Sequence, residues 1–195
     1  MKMKINLLSA LFFCFFFLLV SGCAQKTSQQ GVFFNEMVDF AAIRTVAVLP
    51  FKNLSDDDEA GIRVRDVFSG MLLATEAVYV LPPGEVFRGI DRIGIRTPST
   101  PSSEQIKRLS EVLDADVVIT GVLREYKAVR SGSSTANIIS LSLQMIETQT
   151  GSVIWSASST KGGITIADRL FGGGGQPMND ITLECVNELL NKLFQ

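Results

Sequence analysis

The sequence predicts an α/β fold: a single domain with a mixed sheet, a parallel βαβ core, an antiparallel hairpin and a C-terminal helix. Three observations predict it. The apolar runs Thr45 to Phe51 and Asp116 to Leu123 show no sustained polar alternation, as strands covered on both faces do. Helix-like stretches with start signals lie between them, giving the alternation of α/β folds, with right-handed crossovers expected. From Ile139 the pattern changes to period two, the sign of an antiparallel pair with one apolar face.

The chain of 195 residues is 46% apolar and 19% charged, enough for one domain-sized core and unlike a disordered or collagenous sequence. It contains no histidine, which removes the commonest general base and the commonest zinc ligand. The first 22 residues hold Lys2 and Lys4 and no carboxylate, so the remainder carries 16 basic against 20 acidic residues. A mildly acidic chain without a basic run has no electrostatic hold on phosphate backbones, and nucleic acid is not an expected partner.

Residues 1–22 have the form of a secretory signal: a short cationic start, then apolar residues from Ile5 to Val20, then Ser21 and Gly22. The run would span only about 24 Å as a helix, short of the roughly 30 Å hydrocarbon core, so a permanent membrane span is the weaker reading. Val20-Ser21-Gly22-Cys23 resembles the lipobox of bacterial lipoproteins. That resemblance implies a diacylglyceryl group on the Cys23 sulfur, cleavage before Cys23 and acylation of the new amino group. Cleavage after Ala24 is the alternative. One acyl chain binds a bilayer marginally, whereas two or more make a stable anchor. Ala24 rather than aspartate after the cysteine implies, by the family's sorting rule, the periplasmic side of the outer membrane.

Residues 23–42 are expected to be the lipidated tether and lead-in, polar from Ala24 to Gly31 and without a clear element from Val32 to Phe40. The periplasmic α/β domain is expected over 43–195. Its first strand is Thr45 to Phe51. Ser55 and Asp58 have capping-box spacing and predict a helix start there, with the stripe Val64, Val67, Phe68, Met71 and Leu72. The acidic cluster from Asp56 to Glu59 suits a helix N-terminus better than a metal, because it lacks the alternating ligands and turning glycine of a calcium loop.

A short strand over Val78 to Leu81 is expected to stop at Pro82-Pro83, and a capped helix to run from Glu104 to Leu113 with Ile106, Leu109, Val112 and Leu113 inward. After the second covered strand, Ile139, Leu141, Leu143 and Met145 face the core, and across the turn so do Val153, Trp155 and Ala157. This is the one hairpin expected. A helix from about Asn179 to Leu193 directs Ile181, Cys185, Val186, Leu189, Leu190 and Leu193 inward, making Cys185 a core thiol rather than a reactive one.

Lys161 to Pro177 contains six glycines. No Gly-Lys-Ser/Thr follows, which argues against a phosphate cradle. Lys161, Gly162, Gly163 and Gly172, Gly173, Gly174, Gly175 are candidates for a protein-interaction loop that orders against a neighbour, a mobile surface loop being the alternative.

The strand with its Leu-Pro-Phe end (Thr45 to Ser55), the strand Asp116 to Gly121 with Glu125-Tyr126, and Gly151 to Ala157 together resemble a broad superfamily. It includes the TolB amino-terminal domain, the curli secretion lipoprotein, the lipoprotein activator of penicillin-binding proteins and the Pel exopolysaccharide export lipoprotein. The resemblance implies a protein-binding domain at the outer membrane that often assembles into rings, with no catalysis, cofactor or metal. A homo-oligomeric scaffold for envelope export or assembly is the expected function, and activation of a peptidoglycan synthase is the alternative. A pore would need more amphipathic strands than one hairpin. The serines at 131–134 and 156–159 lack a Gly-x-Ser-x-Gly elbow or a Ser-x-x-Lys motif, so no hydrolase is expected.

Overall fold

The apolar run beginning at Thr45 forms β2 (Thr45–Val48), which pairs in parallel with β4 (Tyr79–Val80) on one side and β5 (Val117–Ser131) on the other. The computed structural model describes residues 31–132, 134–164 and 175–195. Among these the sheet runs β1 (Phe33–Phe34), β7 (Val153–Gly162), β6 (Ser134–Glu147), β5, β2, β4, and β3 (Lys52–Asn53) pairs in parallel with β5. Helix α1 (Ala60–Ala74) precedes β4; α2 (Pro83–Ile93) and α3 (Ser103–Leu113) lie between β4 and β5; α4 (Met178–Leu193) follows β7.

Both faces of β2 are covered, which explains its unbroken apolar sequence. Val46 and Val48 join the larger core with Val64, Phe68 and Leu72 of α1 and with the inner stripe of α4. Ala47 and Leu49 point the other way, into a second core with Val86 and Ile90 of α2 and Ile106 and Leu109 of α3. The fold is therefore layered, with α1 and α4 on one face and α2 and α3 on the other. The expected α/β class, mixed sheet and C-terminal helix are all present.

Several elements differ from the expectation. Helix α1 starts at Ala60, later than the Ser55–Asp58 box implied; the Ser55 hydroxyl donates to Asn53 Oδ1 at 2.7 Å, and Glu59 at the observed N-cap makes no side-chain cap. Asp57 instead accepts the Glu59 N–H and pairs with Arg63. Pro82-Pro83 does not simply end a strand. Pro83 opens helix α2, where a missing N–H costs nothing, and Gly94 at φ 69° closes it. The capped helix expected from Glu104 to Leu113 is α3, and its cap is a capping box at Ser102 and Gln105 with both reciprocal bonds present.

Strand β5 continues past Leu123 to Ser131, with a register shift between Leu123 and Glu125. It pairs with β6 as a long antiparallel hairpin in addition to the expected β6–β7 hairpin. The single-hairpin expectation is thus corrected to a three-stranded meander. A second shift, between Met145 and Ile146, inserts Ile154 beside Trp155 in the larger core and turns Val153 towards the second one. Val153 therefore does not share the Trp155 face. At the outer edge, Phe33 and Phe34 of the expected lead-in pair with Ser156 and Trp155 as β1, and Phe34 meets Phe40 edge to face at 5.5 Å.

Gly121 lies on the larger-core face of β5, where the Phe51 ring lies over it and reaches Phe68 at 6.0 Å between centroids. A Cβ there would stand 2.6 Å from the ring and 2.9 Å from a Leu143 methyl. We predict that Gly121→Ala loses about 1–3 kcal/mol in chemical denaturation. Leu73→Ala, at an exposed helix position, should change stability by less than about 0.5 kcal/mol.

Candidate protein-interaction surface

The candidate residues that the structure describes meet at the end of β7, where the C-terminal helix crosses it. Cys185, Glu188 and Lys192 share one face of α4 and lie against Ser158 to Lys161. Glu188 is the hub. Its Oε2 accepts from Lys161 Nζ at 2.6 Å and from the Ser159 hydroxyl at 3.1 Å, and its Oε1 pairs with Lys192. Lys192 also donates to the Ser158 carbonyl at 2.9 Å, and its own carbonyl accepts from the indole N–H of Trp155 at 3.3 Å.

The electrostatics follow from this arrangement. Partial burial works against the Glu188 carboxylate, but the hydrogen bonds and charges of Lys161 and Lys192 outweigh it and hold the group down at about 2. Lys161 is raised by the Glu188 hydrogen bond, partly opposed by burial. Burial pushes the Cys185 thiol up to about 11, and Cys185 has no accessible surface. It is the core thiol the sequence implied, since the thiolate is the reactive form. Ser159, beside a carboxylate, has the partners of a nucleophile but is 0% exposed, out of reach of a substrate. The arrangement clamps a helix to a strand.

Lys161 is a strand residue paired with Ile139, and its ammonium is committed to Glu188. Gly162 has φ +80° and sits so close to β6 that a Cβ would be 2.1 Å from the Asn137 carbonyl oxygen. The Gly163 N–H donates to that same oxygen at 2.8 Å. Gly175 returns beside Ala136, its N–H donating to the Thr135 carbonyl at 3.0 Å. Both described ends of the glycine segment are therefore pinned along β6, and Gly162 is required by close packing. Gly172, Gly173, Gly174 and Cys23 lie outside the described residues.

Other surface features were not legible from pattern alone. Phe87 on α2 is half exposed and lies under the guanidinium of buried Arg65, 5.2 Å from its ring centre. Tyr79 on the outermost strand β4 and Ile62 on α1 are exposed apolar side chains. The end strands β1 and β4 are only two residues long, and among the described residues β7 from Ala157 to Gly162 has a strand partner on its β6 side alone. Among the described residues there is no group of three or more potential metal ligands, and no helix long and apolar enough to cross a membrane.

Comparison with known proteins places this geometry in context. No protein-family model matches the sequence, and no curated protein matches it. Solved structures do match. A PelC dodecamer from Paraburkholderia phytofirmans superposes with a TM-score of 0.55 at 13% identity, over 84% of this chain and 94% of that one. Lipoprotein GNA1162 from Neisseria meningitidis gives 0.54 at 17% identity, over 76% of this chain and 99% of the other. The hypothetical protein CT253 from Chlamydia trachomatis gives 0.53 at 14% identity, over 78% and 96%. At these identities the likeness is one of fold, and the fold is the one the sequence motifs resembled.

The Glu188 clamp carries a pH signature. Its folded value of about 2 lies below the ordinary 4.5, so its stabilisation is complete above pH 4.5 and disappears as pH falls through about 2. We predict that Glu188→Gln lowers stability by about 1 kcal/mol at neutral pH, a modest effect because the cluster is partly solvated. Urea titrations of the two proteins should converge between pH 4.5 and 2.

Proposed function

We propose that the chain is a lipoprotein anchored through acylated Cys23 to the periplasmic face of the outer membrane. There its domain works without catalysis, as an oligomerising scaffold in an envelope export or assembly complex. The observation that carries this reading is the conjunction of a lipobox with a domain of this fold. Either alone is compatible with many roles, since one fold hosts many functions. In support, one structure of the same fold is a dodecamer and another is a lipoprotein.

Physical considerations agree. Anchoring confines protomers to a surface and raises their effective concentration, so weak lateral contacts suffice for assembly. The exposed Ile62, Tyr79 and Phe87 offer apolar area for such contacts. The polar tether from Ala24 to Gly31 reaches about 28 Å when extended, which keeps the domain near its own bilayer. That short reach favours a polysaccharide- or protein-export assembly at that surface over a synthase across the periplasm.

The expected outcome of Cys23→Ser is a folded domain with an unchanged denaturation midpoint that moves from the membrane to the soluble fraction. Continued sedimentation with outer membranes would contradict the anchor. Light scattering of the detergent-solubilised wild type should give a multiple of the protomer mass, and a stable monomer would contradict the scaffold.

A further inference from the structure

On the side away from α1 and α4, the face of the β5–β6–β7 meander is divided in two. At one end Val118, Ile146 and Val153 join the second core. From the next cross-strand row, Thr120, Gln144 and Ser156, the face belongs to neither hydrophobic core. A cavity of about 260 Å³ opens there, lined by Thr120, Arg124, Ser142, Gln144, Ser156 and Ser158. Sites for drug-sized ligands run to roughly 300–1,000 Å³, so this one suits ring-sized groups. The Ser142 hydroxyl is closed off from solvent and has no hydrogen-bond partner among the described residues, although buried hydroxyls in native proteins are almost always partnered.

The two margins of this polar bed differ in chemistry. On the β1 side, Phe33 is in register with Ser156, so it shares that face, and it is half exposed. On the β5 side, Arg124 lies at the register shift after Leu123 and forms part of the cavity wall. Lys52 of β3 is in register with Val122 and shares the face too. Neither Arg124 nor Lys52 makes an ion pair among the described residues, whereas Glu125 beside them is paired with Lys127 at 3.4 Å.

These groups discriminate between kinds of partner. The buried core of a protein interface is about 65% apolar, and this bed is hydroxyl, amide and guanidinium with an aromatic ring at its margin. Serine and threonine hydroxyls and the Gln144 amide both donate and accept, which matches the hydroxyls of a sugar. The phenyl face carries negative charge density and attracts the C–H-lined side of a sugar ring. A guanidinium forks a carboxylate or a phosphate with two parallel hydrogen bonds. Phe33 and Arg124 stand three strand spacings apart, about 14 Å, so linked sugar rings span the bed better than a single one.

We propose that the open part of this sheet face binds a short segment of an anionic glycan. A sugar ring rests on Phe33, sugar hydroxyls meet Ser142, Gln144 and Ser158, and the acidic group pairs with Arg124 and Lys52. That acidic group is a carboxylate or a phosphate ester, which share the chemistry a guanidinium recognises. A place for the site in polysaccharide export rests on the scaffold reading; the binding itself does not.

Titration calorimetry of the full chain purified in detergent tests the site with a galacturonate tetramer, its methyl ester and a phosphorylated mannose tetramer. The expected result is binding of at least one acidic tetramer, with the uncharged ester about tenfold weaker or more; the acidic tetramer that binds more tightly tells carboxylate from phosphate. Arg124→Gln should weaken the acidic tetramer about tenfold and leave the ester unchanged. Phe33→Ser should weaken both, and Lys107→Gln on α3 should change neither. Arg124 and Phe33 are exposed, and an unchanged denaturation midpoint shows that each variant is folded. No binding of either acidic tetramer, or binding indifferent to Arg124→Gln and Phe33→Ser, would overturn the proposal. A change of particle mass on Arg124→Gln without any glycan binding would also overturn it, assigning the face to a second copy. Light scattering of the unsubstituted protein reads the scaffold separately, so failure of one reading is distinguishable from failure of the other.

Discussion

The rest of the structure depends on the double burial of β2. A strand whose alternate residues are all apolar must have a hydrophobic layer on each side, and the chain supplies those layers with helices drawn from both flanks. Val46 and Val48 face α1 and α4, and Ala47 and Leu49 face α2 and α3. The connection from β4 to β5 passes through α2 and α3 on one face and the connection before β4 through α1 on the other, so covering β2 also fixes the parallel strand order. Asp116 secures the start of that arrangement, its carboxylate accepting the N–H groups of Arg44 and Thr45 at 2.8 Å each.

Away from β2 the sheet is asymmetric. The meander has a complete apolar layer on one side, where Trp155, Leu141 and Leu143 meet α4, while on the other Val118, Ile146 and Val153 join the second core and the lining beyond them is small and polar. Helix α4 is bound by more than burial. Its Glu188 and Lys192 engage strand side chains and a strand carbonyl, which draws polar edge groups into internal pairs that would otherwise face solvent. Glu188, whose carboxylate is held low by Lys161 and Lys192, is thereby committed to a structural clamp.

Periodicity carried most of the fold, because burial on one face or two imposes itself on residue order. The α4 stripe and the β6 alternation were legible for that reason. What was hidden depends on contacts between segments distant in sequence. Arg124, Glu125 and Lys127 gave the second half of β5 a charged character, although Tyr126 still packs on the core. Pro82-Pro83 could either stop a strand or open a helix, and the Gly94 cap together with Val86 and Ile90 favoured the helix. The glycines at 162 and 175 suggested freedom, yet their described conformations answer to the nearby backbone of Asn137 and Ala136. The polar cavity lined by Gly31, Thr120, Ser142 and Ser158 was not legible either, since it needs Gly31 brought onto strands far along the chain.

The proposed function rests on position as much as on surface: the scaffold reading requires that acylated Cys23 hold the domain at a membrane. Intact mass spectrometry of the mature protein tests that directly. The account predicts a polypeptide beginning at Cys23 and carrying a diacylglyceryl group on sulfur with a further acyl chain on its amino group. A mature chain beginning at Gln25, free of lipid, would contradict it.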